Sequence, residues 1–259
     1  MTAVEGGGHT LFGRGLYATL WVLCRTLAVT VFGFRVRFAE RLPAHGGLLV
    51  LASHQSHLDP LLLGLATDRR LSSLARSSLY GFKPFGAVIT ALDAIPIDRE
   101  ASSVAAMKIV IGRLKAGAAV IVFPEGTRTA TGRLGELKPG FALLARRAGV
   151  PIAPVAIVGA FECWPRWRLF PRPGRIRLEF GRLITPAEVA AIDDRELLAE
   201  CGRRLGELDA RARAALGRRP HDELGAGGGA GAITAADRVT SQTGKGSPEP
   251  QPEPQSAPV

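Results

Sequence analysis

The chain is short of cysteine, of lysine and of long apolar runs, and each shortage narrows the field. Cys24, Cys163 and Cys201 stand far apart with no metal-ligand neighbours, which argues against a disulfide framework or a zinc site and for a reducing compartment. Five lysines face 28 arginines, a bias that genomic base composition produces as readily as function does. Only residues 16–34 approach the roughly 20 apolar residues needed to cross a bilayer. Arg25 interrupts that run, and a central arginine costs about 2.5–3.5 kcal/mol on insertion scales. The first ten residues carry no Lys or Arg and no clear cleavage site follows, so a secretory signal is not expected.

What is present begins with this amino-terminal stretch. At about 100° per residue, Leu16, Leu20, Leu23, Leu27, Val31 and Phe34 share one helical face, and Arg14 and Arg25 fall opposite. Trp21 and Phe32 lie near the arginine side, which suits aromatic rings at headgroup depth. Residues 1–35 therefore read as a membrane-associated helix lying in the membrane surface, in preference to an ordinary core-packing helix. At the other end, residues 217–259 are rich in Gly, Pro and Ser and poor in large apolar side chains, so they cannot offset their ordering entropy and read as a disordered tail. That tail holds four basic and five acidic residues, so the net charge of +10 sits on the remainder, with 29 basic against 18 acidic residues. Such a field favours anionic partners: phosphates, coenzyme tails, acidic membrane or nucleic acid.

Between these ends strands and helices alternate. Strands are expected over 35–39, 47–52, 71–75, 94–97, 118–123, 152–158 and 175–180, and helices over 61–66, 102–115 and 139–148. A capping box, Thr185-Pro186-Ala187-Glu188, opens a last helix reaching about Leu216. This alternation implies an α/β domain over 36–216, a central mostly parallel sheet flanked by helices.

Four blocks carry chemistry. Ser53-His54-Gln55-Ser56-His57-Leu58-Asp59 follows the apolar run Leu48-Leu49-Val50-Leu51-Ala52, so a turn there exposes an imidazole at a strand's carboxyl end. Asp59, five residues on, can hold one ring nitrogen of His54 and leave the other as a base. Phe123-Pro124-Glu125-Gly126-Thr127-Arg128 ends another strand: Gly126 allows close backbone approach, Arg128 offers a fork for phosphate, and Glu125 can orient it or hold a substrate hydroxyl. Ile95-Pro96-Ile97-Asp98-Arg99 is a short strand ending in a charged pair. Val150-Pro151-Ile152-Ala153-Pro154-Val155 places two prolines in a strand, which points to an edge or a groove wall.

In this order, over roughly residues 37–182, the four blocks resemble the glycerolipid acyltransferase family, whose bacterial archetype is 1-acyl-glycerol-3-phosphate acyltransferase. The resemblance implies a glycerolipid acyltransferase-type fold with His54 as general base and Asp59 as its orienting partner. It implies that Arg99, Glu125, Gly126, Thr127 and Arg128 bind the acceptor, the two arginines on its phosphate, and that the fourth block lines an acyl or acceptor groove. It further implies acyl-CoA or acyl-carrier protein as co-substrate, no metal and no bound cofactor. The expected activity is acyl transfer to the free hydroxyl of 1-acyl-sn-glycerol 3-phosphate, giving phosphatidate. Another lysolipid or glycerol 3-phosphate is the alternative acceptor. Ser53 stands where the family often has Asn, a departure that removes no reacting group. His57 reads as a site-wall or surface residue, since no third ligand cluster accompanies it.

Trp164-Pro165-Arg166-Trp167-Arg168-Leu169-Phe170-Pro171-Arg172 interleaves aromatics with arginines. Either its rings enter a headgroup region beside anionic membrane lipids, or its tryptophans pack on the sheet. A non-enzymatic protein that binds membrane or nucleic acid through its basic surface is the remote alternative. No nucleic-acid module is recognisable, and no nucleic-acid partner is expected. The expected place is the cytoplasmic face of the cell membrane.

Overall fold

A computed structural model describes residues 11–76, 95–97 and 103–219. Arg99 and the expected tail beyond residue 219 lie outside the described residues. In chain order the elements are α1 (Leu11–Phe32), β1 (Arg35–Phe38), β2 (Leu48–Ala52), α2 (Asp59–Ala66), β3 (Leu71–Arg76), β4 (Ile95–Ile97) and α3 (Ser103–Lys115). There follow β5 (Ala119–Val122), α4 (Gly140–Ala148), β6 (Ile152–Val158), α5 (Ala160–Cys163), β7 (Arg177–Phe180), α6 (Pro186–Ala191) and α7 (Asp194–Ala215).

The strands form one seven-stranded sheet in the order β1-β7-β6-β2-β5-β3-β4. Every neighbouring pair is parallel except β6 with β7. Side chains alternate across a strand, and β2 shows how that splits the core. Leu48, Val50 and Ala52 join one buried cluster with Leu62 and Leu63 of α2 and Ala28 and Phe32 of α1. Leu49 and Leu51 join another, with Val110 and Leu114 of α3, Phe141 and Leu144 of α4, and Leu197, Cys201 and Leu205 of α7. Helices thus cover both faces, the arrangement expected when central strands are apolar throughout. Each fully buried Leu or Ile stabilises by about 1.5–3 kcal/mol relative to exposure.

Three expectations need correcting. The last helix is two helices: α6 ends at Ala191, and α7 begins with its own capping box, in which Asp193 accepts from the Glu196 N–H and Glu196 bonds back. A second capping box, Asp193 with Glu196, eight residues after that of Thr185 with Glu188, thus restarts the helix. The proline-containing strand is not at an edge. β6 lies between β2 and β7, and all seven of its residues are buried, so it forms core rather than groove wall. Alternate residues of β6 face β2, as Val155 does by accepting from Ser53 N–H. Pro154 therefore turns its missing N–H toward the β7 side, where β7 has ended at Phe180 and only the Gly181 N–H reaches the Pro154 carbonyl.

The third correction concerns α1. Trp21 and Phe32 do not lie at headgroup depth with the arginines: Phe32 is buried in the core and Trp21 packs partly against it. Arg25 is half-buried, its Nη1 donating to the Leu65 carbonyl and its guanidinium 5.2 Å from the Trp21 ring centroid. Leu65 belongs to the last turn of α2, whose carbonyls lack intrahelical partners and carry the negative end of the helix dipole. Arg25 caps that end. The apolar side of the turn therefore looks away: Leu23 and Leu27 are 62% and 53% exposed, with Val22 and Val29 also exposed. No helix among the described residues is long and apolar enough to cross a membrane.

Candidate active site

β2 and β5 are parallel neighbours in register, Leu51 opposite Val122, so the segments that follow them leave the sheet side by side. This is the carboxyl end of the strands, where α/β sheets present ligand sites. The segment after β2 carries His54, and the one after β5 carries Glu125 and Arg128.

His54 Nδ1 lies 2.8 Å from Asp59 Oδ2, and the imidazole stacks on Phe123, centroids 3.9 Å apart at 14°. A side chain from each motif thus fixes the ring, one by a hydrogen bond and one by a flat contact. Asp59 is fully buried at the start of α2, and its Oδ2 also accepts the N–H groups of Gln55 at 2.6 Å and Ser56 at 2.7 Å. Its Oδ1 is buried without a hydrogen-bond partner among the described residues. Burial raises the Asp59 carboxyl above its ordinary range, and the His54, Ser56 and Gln55 donors counter only part of that. With Nδ1 donating to a carboxylate, the imidazole presents Nε2 as its proton acceptor.

The hydroxyls nearby are engaged elsewhere. Ser53 Oγ accepts the Ile157 N–H at 2.9 Å, and Ser56 Oγ donates to the Trp164 carbonyl at 2.6 Å. Both hydroxyls are thus committed to backbone partners.

Glu125 is 6% exposed, and both its oxygens hold backbone: Oε1 accepts the His54 N–H at 2.7 Å and Oε2 the Gly135 N–H at 3.0 Å. Burial raises this carboxyl too, against the pull of those two donors. The structure thus gives Glu125 a backbone-bracing position rather than a free carboxylate for a substrate hydroxyl. Gly126 has φ +69, and a Cβ there would lie 2.8 Å from Lys138 Nζ, so the long cation occupies the space that glycine leaves. Gly126 and Thr127 are exposed at the turn. Arg128 is half-buried, with Nη1 against the His57 ring nitrogens. Partial burial and the adjacent Arg128 charge lower the His57 pKa, disfavouring a charged imidazole beside the guanidinium. His57 is exposed and its ring lies 5.2 Å from Trp164, as a wall of the site. Among the described residues no cluster of His, Cys, Asp or Glu could hold a metal ion.

Sequence reasoning missed the braces between the two loops. Thr129 N–H donates to the His54 carbonyl at 2.8 Å. The Gly132 carbonyl accepts from Gln55 Nε2 at 3.1 Å and from Arg213 Nη2 at 3.2 Å, and Arg213 is itself buried on Asp209. A buried guanidinium near the end of α7 thus reaches the loop that carries Arg128. No local signal marks Arg213, which at about 100° per residue falls beside the stripe of Leu197, Cys201, Leu205, Leu208 and Ala212 rather than within it.

The site is thus a histidine–carboxylate pair at the ends of parallel strands, flanked by two serines that bond to backbone. The family described as Acyltransferase matches residues 33–158. The 1-acyl-sn-glycerol-3-phosphate acyltransferase of Bacillus subtilis is 30% identical over 168 residues, 64% of this chain and 81% of that one. Its counterpart of Pseudomonas aeruginosa is 31% identical over 182 residues, 69% and 68% of the two chains. The crystal structure of the 1-acyl-sn-glycerophosphate acyltransferase of Thermotoga maritima has a similar fold, with a TM-score of 0.64 over 78% of this chain and 81% of that chain at 24% identity. The chain belongs to the glycerolipid acyltransferase family and is an acyltransferase.

Proposed function

We propose that the protein transfers an acyl chain from acyl-CoA or acyl-carrier protein to the free hydroxyl of 1-acyl-sn-glycerol 3-phosphate, giving phosphatidate in phospholipid synthesis. The observation that carries this reading is the His54–Asp59 pair, which leaves Nε2 as a base while the flanking Ser53 and Ser56 hydroxyls bond to backbone. His54 Nε2 removes the hydroxyl proton as that oxygen attacks the thioester carbonyl. The tetrahedral intermediate then expels the thiolate, which takes the proton back from the imidazolium. Asp59 holds the ring and stabilises its positive charge in between. Arg128, with Arg99 beyond the described residues, binds the acceptor phosphate and so positions the hydroxyl by remote binding energy. Gly126 and Thr127 shape the same acceptor turn. No metal or bound cofactor takes part, and the thioester is a co-substrate.

The enzyme works on the cytoplasmic face of the cell membrane, against anionic lipid. The outward side chains of α1 support this, because a helix docked through Arg25 leaves Val22, Leu23, Leu27 and Val29 for lipid. The test is membrane-reconstituted enzyme given labelled acyl-CoA and a panel of acceptors: 1-acyl-glycerol 3-phosphate, glycerol 3-phosphate and phosphate-free lysolipids. Products are identified by mass. Labelled phosphatidate as the dominant product is expected; faster labelling of a phosphate-free lysolipid would contradict the proposed acceptor.

A further inference from the structure

Residues 166–173 form an unbroken exposed run between buried Cys163 and Ile176, which share one core cluster. Trp167, Leu169 and Phe170 in it are 62%, 77% and 72% exposed. From residue 164 to 175 there are four arginines, Arg166, Arg168, Arg172 and Arg175, and no acidic residue. The segment is nevertheless built. At its neck Arg172 N–H donates to the Cys163 carbonyl at 2.9 Å and Arg172 Nε to the Glu162 carbonyl at 2.6 Å. Inside it Arg168 N–H donates to Pro165, Trp164 Nε1 donates to the Arg168 carbonyl at 2.8 Å, and the Trp167 ring stands edge-on to Phe161 at 5.4 Å. A closed neck thus carries a tip of large apolar side chains set among cations.

That tip has two attachments. Trp164 lies against His57, and its carbonyl accepts Ser56 Oγ from the turn that carries His54. On the other side Gly174 and Ile176 donate their N–H groups to the carbonyls of Val31 and Phe32, at the end of α1. Exposed aromatic and aliphatic side chains among unopposed arginines match the headgroup–acyl boundary of an anionic bilayer, where rings and chains leave water and guanidinium groups meet lipid phosphates.

We propose that this loop is a membrane-docking tip, inserting Trp167, Leu169 and Phe170 into an anionic bilayer with Arg166, Arg168 and Arg172 on lipid phosphates. Its attachment to the Ser56 turn then sets the His54 site at the surface where a lipid acceptor resides. The link to turnover rests on the acyltransferase reading; the docking itself does not.

The full chain is sedimented with vesicles of phosphatidylcholine alone or mixed with phosphatidylglycerol. Wild type is expected to partition mainly onto the mixed vesicles, and Leu169→Ser/Phe170→Ser to lose about tenfold or more of that partitioning, with an unchanged thermal midpoint. Arg168→Gln is expected to flatten the salt dependence. Unchanged partitioning of the double variant would overturn the docking tip, as would wild-type binding indifferent to phosphatidylglycerol. Transfer to an acceptor embedded in vesicles should fall in the double variant, while transfer to a short-chain acceptor dissolved as monomers persists. Absence of transfer in every form would count against the acyltransferase reading, and the partitioning would still report on the tip.

Discussion

The turn bearing His54 and the loop bearing Trp167 touch at Ser56 and Trp164, yet they are built on opposite rules. In the turn, Asp59 and Glu125 together accept four backbone N–H groups and one ring nitrogen, and both carboxyls are buried. In the loop, eight consecutive residues face solvent and three large apolar side chains find no core. The contrast teaches where each region's partner lies. A segment whose carboxylates are spent on holding its own backbone and ring is organised for chemistry that needs a fixed geometry. A segment whose apolar atoms are left over is organised for something outside the chain.

Breaking the first region should cost most. Asp59→Asn keeps an oxygen that can still accept the Gln55, Ser56 and Nδ1 donors but removes the negative charge beside the ring. The imidazolium formed during transfer then loses its counter-charge, and turnover should fall by about 10²-fold or more. Steady-state transfer by the purified variant checks this, and a loss below tenfold would separate Asp59 from the chemistry. Glu125→Gln sets an amide N–H₂ against one of two backbone donors, so a buried donor loses its acceptor at a cost of about 1–3 kcal/mol of stability. Denaturant unfolding reads that cost, and turnover should fall with it because the His54 backbone is what Glu125 holds. An unchanged midpoint with unchanged turnover would remove Glu125 from the brace.

Arg128→Ala is a smaller and more selective break. The KM for a phosphorylated acceptor should rise while that for a phosphate-free lysolipid stays level, and equal effects on both would argue against phosphate anchoring. The smallest effect lies in the pH dependence of stability. Burial raises the folded-state pKa of Asp59 above its unfolded value, so the folded chain keeps that proton to a higher pH than the unfolded chain does. Stability therefore falls as pH rises from the ordinary aspartate range through the raised value. Asp59→Asn removes this component, so wild type should lose stability relative to the variant across that window. Parallel curves would mean that Asp59 is not a carboxyl held up by burial.

Much of the site was legible because its chemistry is local. His54 and Asp59 are five residues apart, and the buried strands before His54 and Phe123 announce themselves as apolar runs bounded by turns. The order of strands and helices was legible for the same reason, since each element carries its own period and caps. What escaped depends on contacts across the chain. Arg25 faces inward because the end of α2, 40 residues on, needs a donor; a helical wheel of α1 alone holds no trace of that. Arg213 braces a carbonyl 81 residues away. Glu125 reads as a substrate ligand until the His54 N–H is seen to occupy it, 71 residues back. The placement of β6 at the sheet centre escaped because a proline signals an edge only when its N–H side faces a paired strand.

The most direct measurement is acyl transfer by His54→Ala, with folding verified by circular dichroism and thermal midpoint, using labelled acyl-CoA and 1-acyl-glycerol 3-phosphate. Removing a positioned general base should lower turnover by about 10²–10⁴-fold while the midpoint stays near that of wild type. A folded variant turning over at close to the wild-type rate would contradict the assignment of His54 as the base.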